Sequence, residues 1–403
     1  MKKQFFFSAL LLAGLAFGGT ALTSCSDDDD TTTNGPTTGQ GETDAADLDY
    51  TAENAQSWRN YALQVAKLLQ TDAQTLYTSW NSQYVLNGTT GPAYKETFKS
   101  HNSSDYATAW DCVKTIIDKC VEITDEVGNT KIGDPYNKYM AGQTTEALYA
   151  VESWYSFRSR EDYSNNIKSI RNSYYNSMDN STISANSLSK VVESIDPALN
   201  TRVIAAINKA EADILAIPQP FRNNIGDPQV PVAQSSCLAL GDILDIDLRR
   251  CLQTALNNGS LQDAQLDPVV NDYVDNVVLP TYKSLSEGSA ALTQAVQAFY
   301  NNPTNDTFSD ACEAWKVARE PWEKSEAFLF GPVDALGLDP NMDSWPLDQV
   351  AIVNILNSGN FDDLNWTDGE SDDEIEAAQN VRGFHTLEFL LFKNGEPRTV
   401  PTE

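Results

Sequence analysis

Histidine is almost absent from this sequence, which contains only His101 and His385 among its 403 residues. A zincin site takes two histidines from a single helix, and no second histidine lies near His385. Beyond residues 1–24, the chain also has no glycine-rich phosphate loop, no Gly-x-Ser-x-Gly elbow and no His-Glu-x-x-His motif. We therefore do not expect conventional zinc-protease chemistry.

Positive charge is scarce as well. The sequence has 27 lysines and arginines against 57 aspartates and glutamates, which gives a formal net charge of −30. Nucleic-acid partners are not expected, because binding to phosphates requires basic side chains. The negative charge suits the attraction of cations, although acidity by itself mostly promotes solubility.

The N-terminal residues have the pattern of a secretory signal. Lys2 and Lys3 precede an apolar run over residues 5–17, which is shorter than the about 20 apolar residues that span a bilayer. Leu22-Thr23-Ser24-Cys25 then resembles the lipobox of bacterial lipoproteins, in which the cysteine becomes the lipidated first residue. The resemblance implies a signal peptide at 1–24 and a lipid anchor on Cys25 in the outer membrane of the cell envelope. The alternative is ordinary cleavage that leaves Cys25 free.

Residues 25–47 are polar, with an acidic run at Asp27 to Asp30 and a Thr/Gly-rich stretch after it. They have too little apolar surface to offset the entropy of ordering, so we expect a flexible tether. An acidic run directly after a lipidated cysteine resembles the surface-export signals of some Gram-negative lipoproteins, but a plain solvated linker fits equally well. Both the periplasmic and the cell-surface face of the membrane are therefore compatible with the sequence.

The remaining five cysteines are scattered, and no two have the close spacing of a zinc knuckle. They are Cys112, Cys120, Cys237, Cys251 and Cys312. An odd number in an exported chain leaves at least one cysteine unpaired, and we expect it to be a small buried apolar residue.

Apolar residues recur at helical spacing nearly throughout the chain from residue 48. The clearest stripes are Trp58-Ala62-Val65-Leu69, Trp110-Val113-Ile117-Cys120 and Val203-Ile207-Ala210-Ile214. Such stripes predict amphipathic helices with one buried face. We find no sustained alternation of apolar and polar residues, which would indicate a sheet. The predicted fold is all-α, built from packed helical bundles. Three Gly/Pro/Asp-rich stretches, 131–139, 330–346 and 357–371, are predicted to be long loops, which often carry function.

His385 and Glu388 stand three residues apart, so they share one face of a helix. An imidazole and a carboxylate that converge in this way can bind a metal, or the carboxylate can orient the histidine for proton transfer. The same pair also arises by chance as a satisfied core or surface contact. The di-iron bundle template does not fit, because it requires two Glu-x-x-His pairs and this chain has no second histidine nearby.

Several spaced blocks surround this pair. A helical block runs from Trp315 through Ala318-Arg319 to Ser325-Glu326-Ala327-Phe328. Asp343-Ser344-Trp345-Pro346 follows it, and Gly383-Phe384-His385-Thr386-Leu387-Glu388 comes last. Together these blocks resemble the imelysin-like family, whose members share a Gly-x-His-x-x-Glu signature and an upstream Trp…Ala-Arg…Ser-Glu-x-Phe helix. Their common order is far more specific than the hexapeptide alone.

The order of the halves differs from the usual family pattern, in which a further bundle follows the signature. Only 15 residues follow Glu388 here, and two early segments, Glu152–Phe157 and Ile217–Phe221, resemble parts of the missing second half. The sequence therefore predicts a circular permutation, with a bundle at 48–262 resembling the family's second half and a bundle at 263–403 resembling its first. The alternative is a truncated chain with an unrelated N-terminal domain.

The resemblance implies two packed, four-helix-bundle-like units with a ligand site in the cleft between them. The candidate ligand-binding residues are Arg319, Ser325, Glu326, Asp343, His385, Glu388 and Ser156. His385, Glu388 and Glu326 would form a mixed nitrogen and oxygen metal site, which suits iron or zinc, and iron is the expected ion of the two. Arg319 is expected either to clamp an anionic part of a ligand or to keep Glu326 ionised.

The family is named for peptidase activity and is also associated with bacterial iron uptake. One histidine and scattered acids supply a metallopeptidase poorly, since it needs a held metal, an open position for water and a general base. We therefore expect an envelope protein that binds iron or an iron-bearing ligand, working with outer-membrane uptake components, and we assign no catalytic residue. The alternatives are a metal-dependent peptidase with Glu388 or Glu326 as general base, and a purely structural lipoprotein.

Overall fold

Amphipathic helices dominate the structure, in agreement with the predicted all-α fold. The computed structural model describes residues 48–86, 88–367 and 370–401. The predicted signal peptide, the lipidation site at Cys25 and the tether at 25–47 lie outside the described residues. Within the described ranges, no helix is both long enough and apolar enough to cross a membrane.

The helices follow one another with short connections. In the first half they are α1 (Ala55–Asn81), α2 (Tyr94–Ser100), α3 (Ala109–Asp125), α4 (Asp134–Met140), α5 (Thr144–Tyr149), α6 (Ser159–Tyr175), α7 (Leu188–Ile195), α8 (Pro197–Leu215), α9 (Gln229–Asp242) and α10 (Arg249–Asn258). In the second half they are α11 (Asp267–Tyr273), α12 (Leu279–Asn301), α13 (Asn305–Glu323), α14 (Pro332–Ala335), α15 (Leu338–Asp343), α16 (Gln349–Ser358), α17 (Asp372–Gln379) and α18 (Gly383–Leu391).

Short 3₁₀ and π-helical segments lie between the α-helices. Short 3₁₀ turns lie at Phe221–Asn223, Asp263–Gln265, Glu326–Phe328 and Asp362–Leu364. Three π-helical segments, Glu126–Gly133, Ile243–Leu248 and Val274–Val278, join consecutive helices without a break in the helical path. The first of these segments matters for the site, since π turns are rare and often occur at functional positions.

Extended structure is confined to two small antiparallel pairs within the described ranges. β1 (Tyr84–Leu86) pairs with β2 (Thr89–Gly91), and β3 (Phe392–Lys393) pairs with β4 (Glu396–Pro397). Asn394 and Gly395 both have positive φ and form the two-residue turn of the second pair.

One group of helices packs around α1, whose predicted apolar stripe is fully buried. α1 lies against α12 and α18, and α13 packs on both α12 and α18. Arg382, just before α18, forms a buried ion pair with Asp72 of α1. The predicted division placed residues 55–81 with the first bundle, whereas α1 lies among the helices of the second half. The partner of an apolar face is decided by packing and not by sequence proximity.

A second group contains α3, α6, α8 and α9, which pack against one another in turn. The stripes predicted for α3 and α8 are buried. The most unusual member is α6, whose buried residues include many polar side chains, such as Ser164, Asn166 and Ser173. Because α6 also contacts α13 and the 3₁₀ turn at Glu326–Phe328, it brings polar groups to the junction of the two groups.

The predicted loop at 131–139 is wrong, because this stretch is helical throughout. Pro135 lies in the first turn of α4, and its fixed φ is compatible with the helical backbone. Gly133 is a glycine for steric reasons, since a Cβ there would approach the Gly128 carbonyl oxygen to 2.8 Å and also collide with Gln234 of α9. Composition suggested a loop, but these residues permit close helix packing.

Candidate functional site

Gly383 sets the position of α18. It has a φ of +84°, and a Cβ on this residue would lie 2.5 Å from the backbone oxygen of Met342. Only glycine accommodates both the left-handed conformation and this approach. The glycine of the signature therefore lets the start of α18 rest directly on α15, which ends at Asp343. As a result the His385 ring comes within reach of the Asp343 carboxylate.

Glu388 orients His385 from the inner side. Its Oε2 lies 3.1 Å from His385 Nδ1, and both side chains are fully buried. Its Oε1 accepts three hydrogen bonds, from the Tyr155 N–H at 3.1 Å, the Ser156 N–H at 2.8 Å and the Ser156 hydroxyl at 2.6 Å. Left-handed residues at Ser153 and Phe157 flank this turn, a conformation often found where a backbone is held for function.

The predicted metal set of His385, Glu388 and Glu326 does not come together. Both oxygens of Glu388 are engaged by the contacts just described, so Glu388 acts as the partner that holds the imidazole. Among the described residues, two groups have ligand atoms within 4.8 Å of one another: Glu152, Asp343 and His385, and separately Glu323, Glu326 and Asp343. Asp343 belongs to both groups.

The Nε2 atom of His385 faces acids. Glu152 Oε1 and Asp343 Oδ1 each lie 3.2 Å from it. Arg319 Nη2 lies 3.3 Å from the same atom. With Nδ1–H directed at Glu388, Nε2 either shares a proton with these two carboxylates or presents a lone pair to the Arg319 guanidinium, and a cation bound there would have to displace that guanidinium. Trp345 stacks edge-on against the imidazole with a centroid distance of 4.9 Å, so it covers this end of the site.

Arg319 lies at the centre of the site and is 1 % exposed. Its guanidinium forms an ion pair with Asp343 and reaches Glu323 at 2.5 Å, Glu152 at 3.4 Å and Asp162 at 3.6 Å. Four carboxylates of the protein itself thus surround this cation. The predicted role as an anion clamp is not favoured, because an incoming anion would have to compete with these carboxylates. The predicted pairing with Glu326 is replaced by the pairing with these four acids.

Ser325 and Glu326 occupy different positions from those expected of ligand-binding neighbours. The Ser325 hydroxyl donates to the Trp322 backbone oxygen at 2.6 Å and so completes the end of α13. Glu326 is 7 % exposed and forms no hydrogen bond or ion pair with any residue that the structure describes. Burial raises the pKa of its carboxyl well above the usual range.

Several residues of the site were missed by sequence reasoning. They are Glu152, Asp162, Glu323, Trp322 and Lys131. Glu152 lies inside a block that resembles the family, but an acid in a turn between two helices gives no sign of burial. Trp322 donates its indole N–H to Asp343 Oδ2 at 2.6 Å. Lys131 lies in the stretch that was predicted to be a loop, with its amine 2.9 Å from Glu152 Oε2.

The buried charges perturb one another strongly. Burial raises the pKa of Glu323 to about 8 and that of Asp162 to about 6. Burial also acts on Glu152, but Lys131, His385 and Arg319 outweigh it and lower the pKa. Burial and Arg319 both favour neutral His385, yet Asp343 and Glu152 outweigh them and hold its pKa well above the ordinary value. The site therefore retains protons that a cation would displace.

The donor set of Glu152, Asp343 and His385 fits a transition-metal ion. One imidazole nitrogen with two carboxylate oxygens suits iron, manganese or zinc, and the histidine already has the orienting carboxylate common in metal sites. Binding requires the Nε2 proton to leave. A surface groove lined by Ala206, Val232 and Ser236 lies between α8 and α9 and contains none of the site residues.

Comparisons with known proteins agree with the blocks found in the sequence. The family model described as imelysin matches residues 28–245 and 278–402. The crystal structure of an imelysin peptidase from Bacteroides ovatus is 57% identical, with a TM-score of 0.84, and the match covers 89% of this chain and 100% of that one. Iron-regulated protein A of Synechococcus elongatus is 34% identical over 140 residues, which are 34% of this chain and 35% of that protein. The aligned region thus spans about a third of the length of that relative.

Proposed function

The chain belongs to the imelysin family, and we propose that it is a lipid-anchored envelope protein that binds iron as cargo at Glu152, Asp343 and His385. The observation that carries the proposal is the position of His385 Nε2, which faces Glu152 and Asp343 at 3.2 Å each while Nδ1 is held by Glu388 at 3.1 Å. Such a nitrogen and oxygen set, with its orienting carboxylate, is what a borderline metal ion takes from proteins.

Two further observations support iron. The whole chain is strongly acidic, with a formal net charge of −30, which raises the local concentration of cations. The Synechococcus relative is named iron-regulated protein A. An iron-related role for this chain is consistent with that likeness and with the acidic site.

Binding is favoured over hydrolysis by the way the carboxylates are used. A metallopeptidase needs a general base free to take a proton from a metal-bound water. Glu388 is occupied by four contacts, Glu152 and Asp343 are the proposed ligands of the ion, and Asp162 and Glu323 lie against Arg319. Peptidase activity is the second candidate, because the Bacteroides ovatus protein is described as an imelysin peptidase and Glu326 is uncommitted. Metal-dependent cleavage of a protein substrate that Glu326→Gln abolishes would establish it.

The membrane attachment belongs to the same proposal. A lipid on Cys25 would hold the protein at the outer membrane, facing either the periplasm or the outside, where it would pass iron to uptake components. The support is the Leu22-Thr23-Ser24-Cys25 pattern. The circularly permuted order, with the site in a cleft between the two bundles, remains part of the prediction.

The experiment is a calorimetric titration of the chain from residue 26 with ferrous, ferric and zinc ions. We expect roughly stoichiometric iron binding that is lost in His385→Gln. His101→Gln is the matched control, because this second histidine forms a partly exposed pair with Asp267 and should bind like the wild type. Failure of the wild type to bind any of these ions would refute the direct iron site.

A further inference from the structure

Lys131 is an amine enclosed by acids. Its side chain is 7 % exposed, and Nζ lies 2.9 Å from Glu152 Oε2 and 3.4 Å from Glu126 Oε1. Glu152 is also a proposed ligand of the cargo ion. The ammonium of Lys131 therefore neutralises, in the structure as it stands, one of the carboxylates that the cargo would need.

A helical backbone, and not a flexible loop, holds Lys131 next to Glu152. The residue lies in the π-helical segment Glu126–Gly133, which packs against α9. Gly133 allows the wide turn, because a Cβ would approach the Gly128 carbonyl oxygen to 2.8 Å. A π turn inserts an extra residue per turn and redirects the side chains that follow. Lys131 is thereby directed at the acids.

Two acids on either side of the amine differ in exposure. Glu126 has a side chain that is 42 % exposed, whereas that of Glu152 is 9 % exposed. Lys131 thus lies between a buried carboxylate that belongs to the cation site and a half-exposed carboxylate at its edge. A lysine side chain has four rotatable carbon links, so the ammonium can stay paired with Glu126 while it leaves Glu152.

We propose that the Lys131 ammonium is a tethered competitor of the cargo cation: it neutralises the Glu152 carboxylate through Oε2 while Oε1 faces His385, and it moves toward Glu126 when the ion binds. This inference rests on the proposed function, since it concerns the same site. As a consequence, Lys131 limits the affinity for the cargo ion, because a permanent positive charge next to an ion site repels the incoming ion. The cargo therefore stays releasable.

Two variants test the inference with opposite expected changes in affinity, and a third is the control. Lys131→Met removes the competing charge, so binding of Zn²⁺ and of Fe²⁺ should tighten by about tenfold or more. Glu126→Gln removes the alternative partner of the ammonium, so binding should weaken several-fold. Lys138→Met is the matched control, because Lys138 lies on the next helix in an exposed pair with Asp134 and its loss should leave affinity unchanged.

The measurement is calorimetric titration of the chain from residue 26 with each ion, anaerobically for Fe²⁺. Equal or weaker binding by Lys131→Met, with a wild type that binds, overturns the inference and leaves the proposed function standing. Binding by Lys131→Met but not by the wild type supports the inference and overturns the proposed function. Absence of binding by both overturns the two together. If Lys131→Met does not fold, Glu126→Gln decides, since unchanged or tighter binding by that variant contradicts a competing ammonium.

Discussion

Gly383→Ala is the most informative single change, because the structure separates its two expected effects. The first effect is the left-handed conformation, with φ at +84°. The second is a collision of the new Cβ with the Met342 backbone, whose oxygen lies 2.5 Å away. A backbone neighbour cannot rotate aside as a side chain can, so α18 or α15 has to shift.

The magnitude follows from a matched glycine. Gly359 ends α16 with a φ of +67°, and a Cβ there would meet nothing within 4 Å. Gly359→Ala should therefore show the conformational term alone, about 1–2 kcal/mol of unfolding free energy. Gly383→Ala should add an overpacking term of about 1–3 kcal/mol. It should also weaken cation binding, because the shift separates His385 from Asp343.

The assay is equilibrium unfolding in urea for both variants and the wild type, with the slopes compared so that only stability differs, followed by zinc titration. Equal loss of stability in the two variants would refute the reasoning about the Met342 contact. A Gly383→Ala protein that is destabilised but binds zinc as tightly as wild type would refute the claim that this glycine positions the site.

Three further predictions follow from the buried hydrogen bonds and charges. The pKa of Glu323 is raised from 4.5 to about 8, so its contribution to stability is present below pH 4.5 and is lost as the pH rises through about 8. In urea denaturation at several pH values, the free energy of unfolding of Glu323→Gln should therefore fall less steeply with rising pH than that of the wild type. Trp322→Phe removes the N–H donated to Asp343 and should lower the free energy of unfolding by about 1.5–3 kcal/mol, because the acceptor is charged. Trp315→Phe loses a hydrogen bond to a backbone oxygen, so the same urea assay should show a smaller loss of stability. Ser156→Ala should lower the free energy of unfolding by about 1.5–3 kcal/mol, since the acceptor is again a carboxylate. Zinc affinity should stay within a few-fold of wild type, because two backbone N–H groups still hold the carboxylate; a complete loss of binding would contradict this.

The signature motif shows how far local reasoning reaches. Spacing predicted that His385 and Glu388 share a helix face, and they do so in α18, with Nδ1 and Oε2 3.1 Å apart. Spacing could not tell whether Glu388 binds a metal or holds the histidine. That depends on Ser156 and Tyr155, whose groups occupy the other carboxylate oxygen and lie more than 200 residues away in the chain.

The acids around Arg319 are a second case in which local sequence does not reveal the partners of a residue. Arg319 was identified as a site residue, but its partners Glu152 and Asp162 come from the other half of the chain. A charged residue in a sequence is most often exposed, so nothing local indicates that four acids share one buried guanidinium. Packing of α6 against α13 brings Asp162 to Arg319, whereas Glu152 comes from the turn before α6 and Asp343 from the end of α15.

The sequence by itself determined the helical class, the buried stripes and the family, because these depend on periodicity and on short blocks that are read locally. Only the tertiary structure decided that residues 131–139 are helical, that α1 packs with the second half, and that Glu152 rather than Glu388 faces His385 Nε2. His385 and Glu152 are 233 positions apart. Contacts of that separation are selected by the fit of whole helix faces and by the need to pair every buried charge, and neither is a property of any one segment.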